Sequence, residues 1–583
     1  MDKASKTAFA RHIRNLVSLM EGNTYSPAEM VGTVLDTWCS QKFPGLTPAN
    51  LPSKAALQKV PCLASFITAL TEQSFLEAAY WLSSAYAILV GKKYRKSLAM
   101  FFTPPSITER ILSDLELEGV QFSTGNFFDP ACGGAAFLAP IALRMKAALK
   151  AEKHTPDRIL QHVESNLFGA DLDVTLCAMS HQFLKMALHE EIIKAQREPT
   201  FKITTCDSLR DMEHLHGAID VLVCNPPYRK VTPNESITYR SHFEEVMQSQ
   251  PNMYGLFIAL SVRLLKPNGV CALVTPTSFL SGQYFSKLRV FLVKEARILR
   301  IGMVSDRSGV FFDVEQETAL TILRRALAPF ATELKPSVSV VSRDGKYVDV
   351  GQCILPKSGA VWPIPRVVDD VSLLENAAVL PFRIKDYGYR VRIGSFVWNR
   401  DTRPVFMSAA DTHGSSTAVP LLWSSDIKKG GNLIFDGHEK NNEEPCFVDF
   451  GARTHASVIR RPSVLIQRVT SNDQPHRLVA AAVPHFIFEK YGGFVGENHT
   501  VILEQVAEEP VLSPKEMADL LTADIVDRFF RCISGATNVS AFELSQLSLP
   551  NPTLLKKMIS KGHDVQEALH IAVIGKTQVA PKS

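Results

Sequence analysis

The chain has 583 residues, of which 46% are hydrophobic and 21% are charged, and its formal net charge is +4. A chain of this length exceeds one hydrophobic core, so we expect two or three domains. No apolar run reaches the roughly 18 residues that a membrane-spanning helix needs, and the first residues contain no signal-peptide core. The composition therefore predicts a globular protein without membrane contact, and its weak basicity permits a polyanionic partner without requiring one.

The ten cysteines are scattered along the chain, and none of them forms a CxxC pair. This spacing argues against a zinc ribbon and against a disulfide framework, and we predict no metal site. Free thiols are typical of a reducing cytoplasm, which is the predicted location of the protein.

Residues 1–95 are predicted to be helical. Apolar residues recur at helical spacings between Leu16 and Trp38, and the stretch from Phe75 to Val90 predicts a second, alanine-rich apolar helix. None of these residues suggests chemistry, so we interpret the region as a structural or partner-binding helical cap.

Residues 96–330 alternate short apolar strands with helical stretches, the longest helices being predicted at 135–150 and 253–265. The predicted strands are 126–129, 167–172, 201–205, 221–224, 270–275, 299–304 and 318–323. Such alternation predicts an α/β domain with a mostly parallel sheet, and ligands of such sheets bind at the carboxyl ends of the strands. Residues 331–583 are richer in Pro, Gly and Ser and mix strands with helices, which predicts a separate α+β domain.

The stretch 127–137 predicts a strand, a glycine turn and the start of a helix. Gly133 and Gly134 allow the backbone to approach a ligand closely, and the helix start offers free N–H donors. A phosphate-binding loop uses the same geometry, but its Lys-Ser/Thr pair is missing here. Asp129 at the strand end suits a cationic or polar ligand better than a phosphate.

Two further acidic residues follow the next two predicted strands. Asp171 ends the second strand, where a carboxylate can accept hydrogen bonds from both hydroxyls of a ribose, and Asp207 follows the third, where it can accept one from the amino group of an adenine. Taken singly, each Asp is more often a helix N-cap or a turn residue. Taken in order with Asp129, the three predict a pocket for an adenosine without phosphates, and S-adenosylmethionine fits that description.

The motif Asn225-Pro226-Pro227-Tyr228 follows the apolar run 219–224, which predicts a buried strand. The amide oxygen of Asn225 and a backbone carbonyl near Pro226 can both accept hydrogen bonds from one NH2 group, which frees the nitrogen lone pair to attack a methyl group. Both prolines stiffen the loop, and Tyr228 offers a flat face to the ring that carries the amine. Alone, the motif is also compatible with a simple Pro-rich turn, so the upstream motifs decide its interpretation.

Together these motifs resemble the DNA adenine-N6 methyltransferases of the gamma arrangement found in type II restriction–modification, in which the cofactor motifs precede the target-recognition domain. The resemblance covers about residues 97–325, and residues 380–505 more loosely. It implies a Rossmann-like S-adenosylmethionine-dependent methyltransferase domain at 96–330, between an N-terminal helical region at 1–95 and a mixed α+β target-recognition domain at 331–583.

The resemblance also assigns roles to single residues. The segment 101–105 is similar to the one that closes over the methionine part of the cofactor. The residues assigned to the cofactor are Thr103, Pro104, Asp129, Ala131, Gly133, Gly134, Asp171, Asp207 and Asn225. The residues assigned to catalysis are Asn225, Pro226, Pro227, Tyr228 and Phe311. Phe311 is either the second aromatic that stacks on the target base or a core aromatic, and Phe312 follows it directly.

One position departs from the family pattern. Ala135 stands where the family usually has a second glycine, and its Cβ disfavours a positive φ angle. We therefore expect either that Gly134 makes the turn or that the loop is slightly remodelled, which affects the backbone contacts to the cofactor and not the pocket itself.

The resemblance implies methyl transfer from S-adenosylmethionine to adenine N6 in double-stranded DNA, by base flipping and direct displacement. Two groups of arginines in the last domain suit guanine edges and phosphates, or else form ordinary solvated strand faces. They are Arg383, Arg390, Arg392, Arg400 and Arg403, and then Arg453, Arg460, Arg461, Arg468 and Arg477. No nuclease motif is evident, so we expect any cognate restriction endonuclease to be a separate chain.

Other readings remain open at this point. The same tetrapeptide serves enzymes that methylate a protein glutamine, and the pocket alone does not exclude RNA adenine. A third alternative is a non-catalytic DNA-binding subunit on an inactive methyltransferase fold, against which the intact motif and the three acidic residues argue.

Overall fold

The computed structural model describes residues 3–22, 25–304, 317–327, 334–341, 346–428, 430–435, 444–451, 454–470, 474–535 and 538–573. The chain forms two compact units. The first contains Met1–Phe279, Tyr284–Val348 and Lys357–Gly359, and the second contains Leu280–Gln283, Asp349–Pro356 and Ala360–Ser583. The division into three domains at residues 95 and 330 stays a prediction.

The first unit begins with helices, as the apolar spacing predicts. They are α1 Lys3–Glu21, α2 Pro27–Lys42, α3 Ala55–Gln58, α4 Pro61–Glu72, α5 Phe75–Leu89 and α6 Lys92–Leu98. The start of α2 is fixed by a capping box, in which Ser26 and Glu29 satisfy each other's backbone N–H groups. Helix α5 is almost entirely buried and is the centre of this helical region.

Strands and helices alternate along residues 105–352, nearly all of which belong to the first unit. The strands are β1 Phe127–Asp129, β2 Leu167–Asp171, β3 Lys202–Thr205, β4 Ile219–Cys224, β5 Leu265–Pro276, β6 Ala296–Val304, β7 Thr318–Arg325, β8 Ser337–Val341 and β9 Tyr347–Gln352. The helices are α7 Pro105–Leu117, α8 Leu138–Ala151, α9 Pro156–Asn166, α10 Val174–Ala187, α11 His189–Ala195, α12 Ser208–Asp211, α13 Pro233–Phe243, α14 Met253–Leu264, α15 Ser278–Ser281 and α16 Ser286–Glu295.

The strands form one sheet in the order β3-β2-β1-β4-β5-β7-β6-β8-β9. Strands β1 to β5 pair in parallel, whereas β7 runs antiparallel to both β5 and β6. The predicted mostly parallel sheet is therefore present. Its parallel half brings the carboxyl ends of β1 to β4 to one edge, and this edge carries Asp129, Asp171, Asp207 and Asn225.

The second unit mixes small sheets with helices, as its composition predicts. Two four-stranded sheets have the orders β10-β19-β16-β17 and β11-β15-β12-β18, and β13 pairs with β14. The strands are β10 Tyr389–Ile393, β11 Val405–Phe406, β12 Ala418–Leu422, β13 Ile427–Lys428, β14 Asn432–Leu433, β15 Phe447–Asp449, β16 Ser463–Gln467, β17 Ala480–Ala482, β18 Val495–Gly496 and β19 Thr500–Gln505. The helices are α17 Asp369–Ala378, α18 His485–Tyr491, α19 Pro514–Thr522, α20 Asp524–Ile533, α21 Ala541–Ser545, α22 Pro552–Ile559 and α23 Val565–Val573.

Among the described helices, none combines the length and the apolar character that a membrane crossing requires.

The turn after β1 resolves the question raised by Ala135. Gly133 has a φ of 50° and Ala135 a φ of 59°, whereas Gly134 is not among the residues with positive φ. Of the two expected alternatives, a turn made by Gly134 is therefore wrong, because Ala135 itself adopts the left-handed conformation at a cost of about 1–2 kcal/mol. The other alternative, a slightly remodelled loop, stays a prediction. Helix α8 begins only at Leu138, and not at Ala135.

Gly134 has a different reason to lack a side chain. A Cβ built on Gly134 would lie 2.0 Å from Oγ and 2.8 Å from Cβ of Ser83 in helix α5. The missing side chain therefore lets the N-terminal helices pack directly against the glycine turn.

We predict that Gly134→Ala lowers the free energy of unfolding by about 1–3 kcal/mol, because the new methyl group overlaps Ser83. Urea unfolding followed by tryptophan fluorescence measures the change. Gly22→Ala is the matched control, since its Cβ would meet nothing closer than 3.5 Å. In a Ser83→Gly background, Gly134→Ala should cost less than it does alone, and equal costs in the two backgrounds would contradict this explanation.

Candidate active site

A pocket opens at the carboxyl ends of β1 to β4, and the empty space within it, open solvent included, is about 920 Å³. The predicted site residues that line it are Thr103, Asp129, Ala131, Gly133, Asp171, Asp207, Asn225 and Pro227. The structure thus gathers most of the residues that the motifs select, while Pro104, Gly134, Pro226 and Tyr228 are not among the lining residues.

Asp129 is the most deeply buried acid of the pocket, with 1% of its surface exposed. Its Oδ1 accepts a hydrogen bond of 3.0 Å from the backbone N–H of Ala131. Burial raises the pKa of Asp129 well above its usual range, and this single bond opposes the shift only in part.

Asp171 connects the tip of β2 to the glycine turn. Its Oδ2 accepts a hydrogen bond of 2.9 Å from Gly133 N, and its Oδ1 accepts one of 2.9 Å from Asp173 N. Burial raises the pKa of Asp171 to about 6, although these backbone bonds stabilise the charged form. The carboxylate is therefore fixed in orientation and titrates close to neutral pH.

The neighbouring Asp173 is held by the N-terminal helices. Its carboxylate accepts hydrogen bonds from the hydroxyls of Tyr86 on α5, at 3.0 Å, and Tyr94 on α6, at 3.1 Å. It also caps helix α10 by accepting a bond of 2.9 Å from Leu176 N. Because Asp173 N donates to Asp171, these tyrosines support the position of the pocket's second acid. No local sequence pattern indicates this connection.

Asp207 caps the short helix α12 and faces helix α13. Its Oδ1 accepts a bond of 3.1 Å from Leu209 N, and its Oδ2 accepts one of 2.8 Å from the hydroxyl of Tyr239. Ser208 Oγ donates to Pro130 O at 2.6 Å, which ties the third strand's tip to the glycine turn.

The amide of Asn225 has a defined orientation. Its Nδ2 donates to Phe101 O at 3.1 Å and to Thr103 Oγ1 at 3.0 Å, so both amide hydrogens are engaged. Its Oδ1 faces the other way and accepts a bond of 2.6 Å from the hydroxyl of Tyr228. An amide oxygen has two lone pairs, so it can accept one further hydrogen bond.

Tyr228 is anchored by its hydroxyl behind the loop. The oxygen lies 2.6 Å from Asn225 Oδ1 and 2.8 Å from Val274 O, and its single proton is shared between these two acceptors. Burial raises the pKa of Tyr228, so the hydroxyl remains a donor at neutral pH. The ring meets Tyr254 edge-on, with 6.2 Å between the ring centres.

The pocket lining also contains residues that the sequence motifs did not indicate, among them the polar Arg229, Glu235 and Tyr239. Arg229 follows the tetrapeptide directly and forms a bidentate ion pair with Glu235, with N–O distances of 2.8 and 2.6 Å. This pair lowers the pKa of Glu235 to about 2. The Thr-Pro-x-Glu pattern that begins at Thr232 is a capping-box signal and could have located the start of α13. No sequence signal points to Tyr239.

Phe311, with Phe312 beside it, lies outside the described residues, and so does Arg453. Stacking of Phe311 on a base stays a prediction.

The chain is similar in sequence to known restriction–modification methylases. Residues 134–311 match the model of the Eco57I restriction-modification methylase family. Type II methyltransferase M.BsuBI of Bacillus subtilis is 25% identical over 373 residues, which cover 62% of this chain and 70% of that protein. Type II methyltransferase M.PstI of Providencia stuartii is 23% identical over 355 residues, which cover 58% of this chain and 66% of that protein. The chain is a relative of the type II restriction–modification methylases.

The matched parts thus span about two thirds of these relatives' own lengths. A solved structure of the Type IIL restriction-modification enzyme MmeI in complex with DNA covers 95% of this chain and 88% of its own, with 13% identity and a TM-score of 0.57. This likeness concerns the fold, and it confirms the predicted α/β methyltransferase architecture.

S-adenosylmethionine is the cofactor of this class of methylase, and the pocket fits it. The buried Asp129 and the half-buried Asp171 and Asp207 suit a cationic ligand with ribose hydroxyls and an amino group. Among the described residues that line the pocket there is no lysine of the kind that a phosphate-binding loop uses.

The two arginine groups of the second unit include residues that hold the fold together. Arg477 is fully buried and donates to Thr470 O at 2.9 Å, so it does not offer its guanidinium to a partner. Arg390 and Arg392 both donate to the carboxylate of Glu504, at 2.6 and 3.0 Å. A role in reading DNA is therefore not common to all ten arginines.

We predict that Tyr86→Phe lowers the free energy of unfolding by about 1–3 kcal/mol, because it removes a donor from the buried carboxylate of Asp173. The midpoint of urea unfolding reports the loss. Tyr347→Phe serves as the control, since the buried Tyr347 hydroxyl has no hydrogen-bond partner in the described part of the chain. Equal midpoints for the two variants would show that the tyrosine–carboxylate bond is not stabilising.

Proposed function

We propose that the chain transfers a methyl group from S-adenosylmethionine to the N6 amino group of adenine in a specific double-stranded DNA sequence, by base flipping and direct displacement. The observation that carries this proposal is the Asn225 amide. Both of its hydrogens are engaged by Phe101 and Thr103, and its oxygen can accept a further bond at the edge of the pocket.

Different residues of the pocket bind different parts of the cofactor. When bound, S-adenosylmethionine supplies a methyl group on a positively charged sulfonium, which is a good leaving group. Asp171 accepts hydrogen bonds from the ribose hydroxyls, Asp207 accepts one from the adenine amino group, and Asp129 lies towards the methionine end. Thr103 and Gly133 close the pocket around the ligand.

The loop formed by residues 225–228, called the catalytic loop below, positions the target amine. Asn225 Oδ1 and the backbone carbonyl of Pro226 accept its two hydrogens, which directs the nitrogen lone pair away from the base ring. Pro226 and Pro227 restrict the loop, so these acceptors are in place before the base arrives. The ring of Tyr228 offers a stacking surface that is worth about 1–3 kcal/mol.

The substrate is proposed to be DNA because of the chain's relatives and fold. The relatives are type II methyltransferases, and MmeI, which has the same fold over nearly the whole chain, was solved in complex with DNA. In the second unit, Arg400 and Arg460 are exposed and available to phosphates or base edges, whereas the exposed Arg403 donates to Asp401 at 2.7 Å. A cognate restriction endonuclease, where one exists, is proposed to be a separate chain.

Methyl transfer from labelled S-adenosylmethionine to unmethylated duplex DNA, followed by nucleoside analysis by mass spectrometry, tests this function. We expect N6-methyladenine. Label in RNA or in a protein glutamine, or no label in any of these, would contradict the proposal.

Asn225→Ala is predicted to reduce methyl transfer by at least about a thousandfold, because the amine loses its side-chain acceptor. Binding of S-adenosylhomocysteine should change by less than about threefold, since the acids of the pocket remain. Single-turnover kinetics and isothermal titration calorimetry separate the two effects. Full activity in the variant would refute the assigned role of Asn225.

Cofactor binding is predicted to weaken in mild acid. Asp171 accepts ribose hydroxyls as a carboxylate, and its pKa of about 6 means that it is mostly protonated at pH 5. The Kd of S-adenosylhomocysteine should therefore rise about tenfold from pH 7 to pH 5. The 2′,3′-dideoxy analogue is the matched control and should show no such rise. A constant Kd for the parent ligand would argue against the assignment of Asp171 to the ribose.

A further inference from the structure

Helix α13 follows the catalytic loop and forms one wall of the pocket. Its residues Glu235 and Tyr239, one turn apart, both line the pocket. The start of the helix is fixed twice, by the capping box of Thr232 with Glu235 and by the ion pair of Arg229 with Glu235. The helix therefore presents Tyr239 to the pocket from a well-defined position.

Tyr239 has one polar partner in the pocket. Its hydroxyl donates to Asp207 Oδ2 at 2.8 Å, while Leu209 N donates to the other oxygen at 3.1 Å. These donors belong to different elements, so together they fix the plane of the Asp207 carboxylate. Only 6% of the surface of Tyr239 is exposed, so its ring is held in place by packing.

We propose that Tyr239 is a positioning residue, which orients Asp207 so that the pocket selects a purine with an amino group at position 6. This inference rests on the proposed function, in which Asp207 accepts a hydrogen bond from the adenine of the cofactor. It adds a source of specificity that lies outside the acidic strand tips.

The chemistry of the pair favours this role. Burial raises the pKa of Tyr239, and the nearby Asp207 raises it further, so the hydroxyl stays protonated and remains a donor. Asp207 Oδ2 accepts this bond and keeps a second lone pair for a ligand. A ligand amino group can use that lone pair, whereas a keto oxygen would place two acceptors against each other.

Tyr239→Phe tests the proposal, because it keeps the ring and removes only the hydroxyl. Calorimetry compares S-adenosylhomocysteine with S-inosylhomocysteine, in which oxygen replaces the amino group at purine position 6. We expect the unmodified chain to prefer the adenosyl ligand by at least about tenfold. The variant should bind the adenosyl ligand about tenfold more weakly and the inosyl ligand with little change, so that the preference is lost.

The controls separate positioning from general damage to the pocket. Tyr347→Phe, which removes a hydroxyl outside the pocket lining, should keep both Kd values. An equal loss of affinity for both ligands in Tyr239→Phe, or no loss at all, would overturn the inference while leaving the proposed function intact. If the unmodified chain binds the adenosyl ligand without preferring it, the inference also fails. If it binds neither ligand, both the inference and the proposed function fail.

Discussion

A side-chain amide can turn over by half a rotation with little change in shape, so its hydrogen-bond partners must decide which end faces a substrate. In this chain Phe101 O and Thr103 Oγ1 accept hydrogen bonds from the amide nitrogen of Asn225. The amide oxygen therefore points away from these two acceptors and can accept a bond from a substrate. The position of this one group depends on the rest of the first unit. Strand β4 carries Asn225 to the edge of the sheet, and the segment before α7 supplies both acceptors.

The helices that precede the sheet therefore belong to the site. Tyr86 and Tyr94 hold Asp173, and Ser83 packs where Gly134 has no side chain. Through these contacts the N-terminal region supports the strand tips that surround the pocket. This gives the region a structural role in the first unit, which is one of the two roles expected from its sequence, and partner binding stays a prediction.

Much of the first unit could be predicted from its sequence, because apolar strands and acidic strand tips leave local signals. The strand predicted at 270–275 runs from Leu265 to Pro276 in the structure. Its first half was not predicted, because Asn268 and Gly269 are residues that strands rarely contain. The left-handed Ala135 could not be foreseen, because a non-glycine residue rarely adopts that conformation.

Contacts between segments that are distant in the chain could not be predicted from the sequence either. Tyr239 meets Asp207 across 32 positions of the chain, and nothing in the local pattern of α13 indicates that meeting. Arg477 was expected at the surface, because arginine side chains are mostly exposed in proteins. In the structure it is fully buried.

In the proposed mechanism, Asn225 presents its amide oxygen to the target amine. An experimental structure of the chain with S-adenosylhomocysteine and a duplex containing its methylation site would test it most directly. We expect the N6 nitrogen of an extrahelical adenine about 3 Å from Asn225 Oδ1, with Nδ2 still bonded to Phe101 O and Thr103 Oγ1. An Asn225 amide turned over towards the base, or an adenine bound away from the tetrapeptide loop, would contradict it.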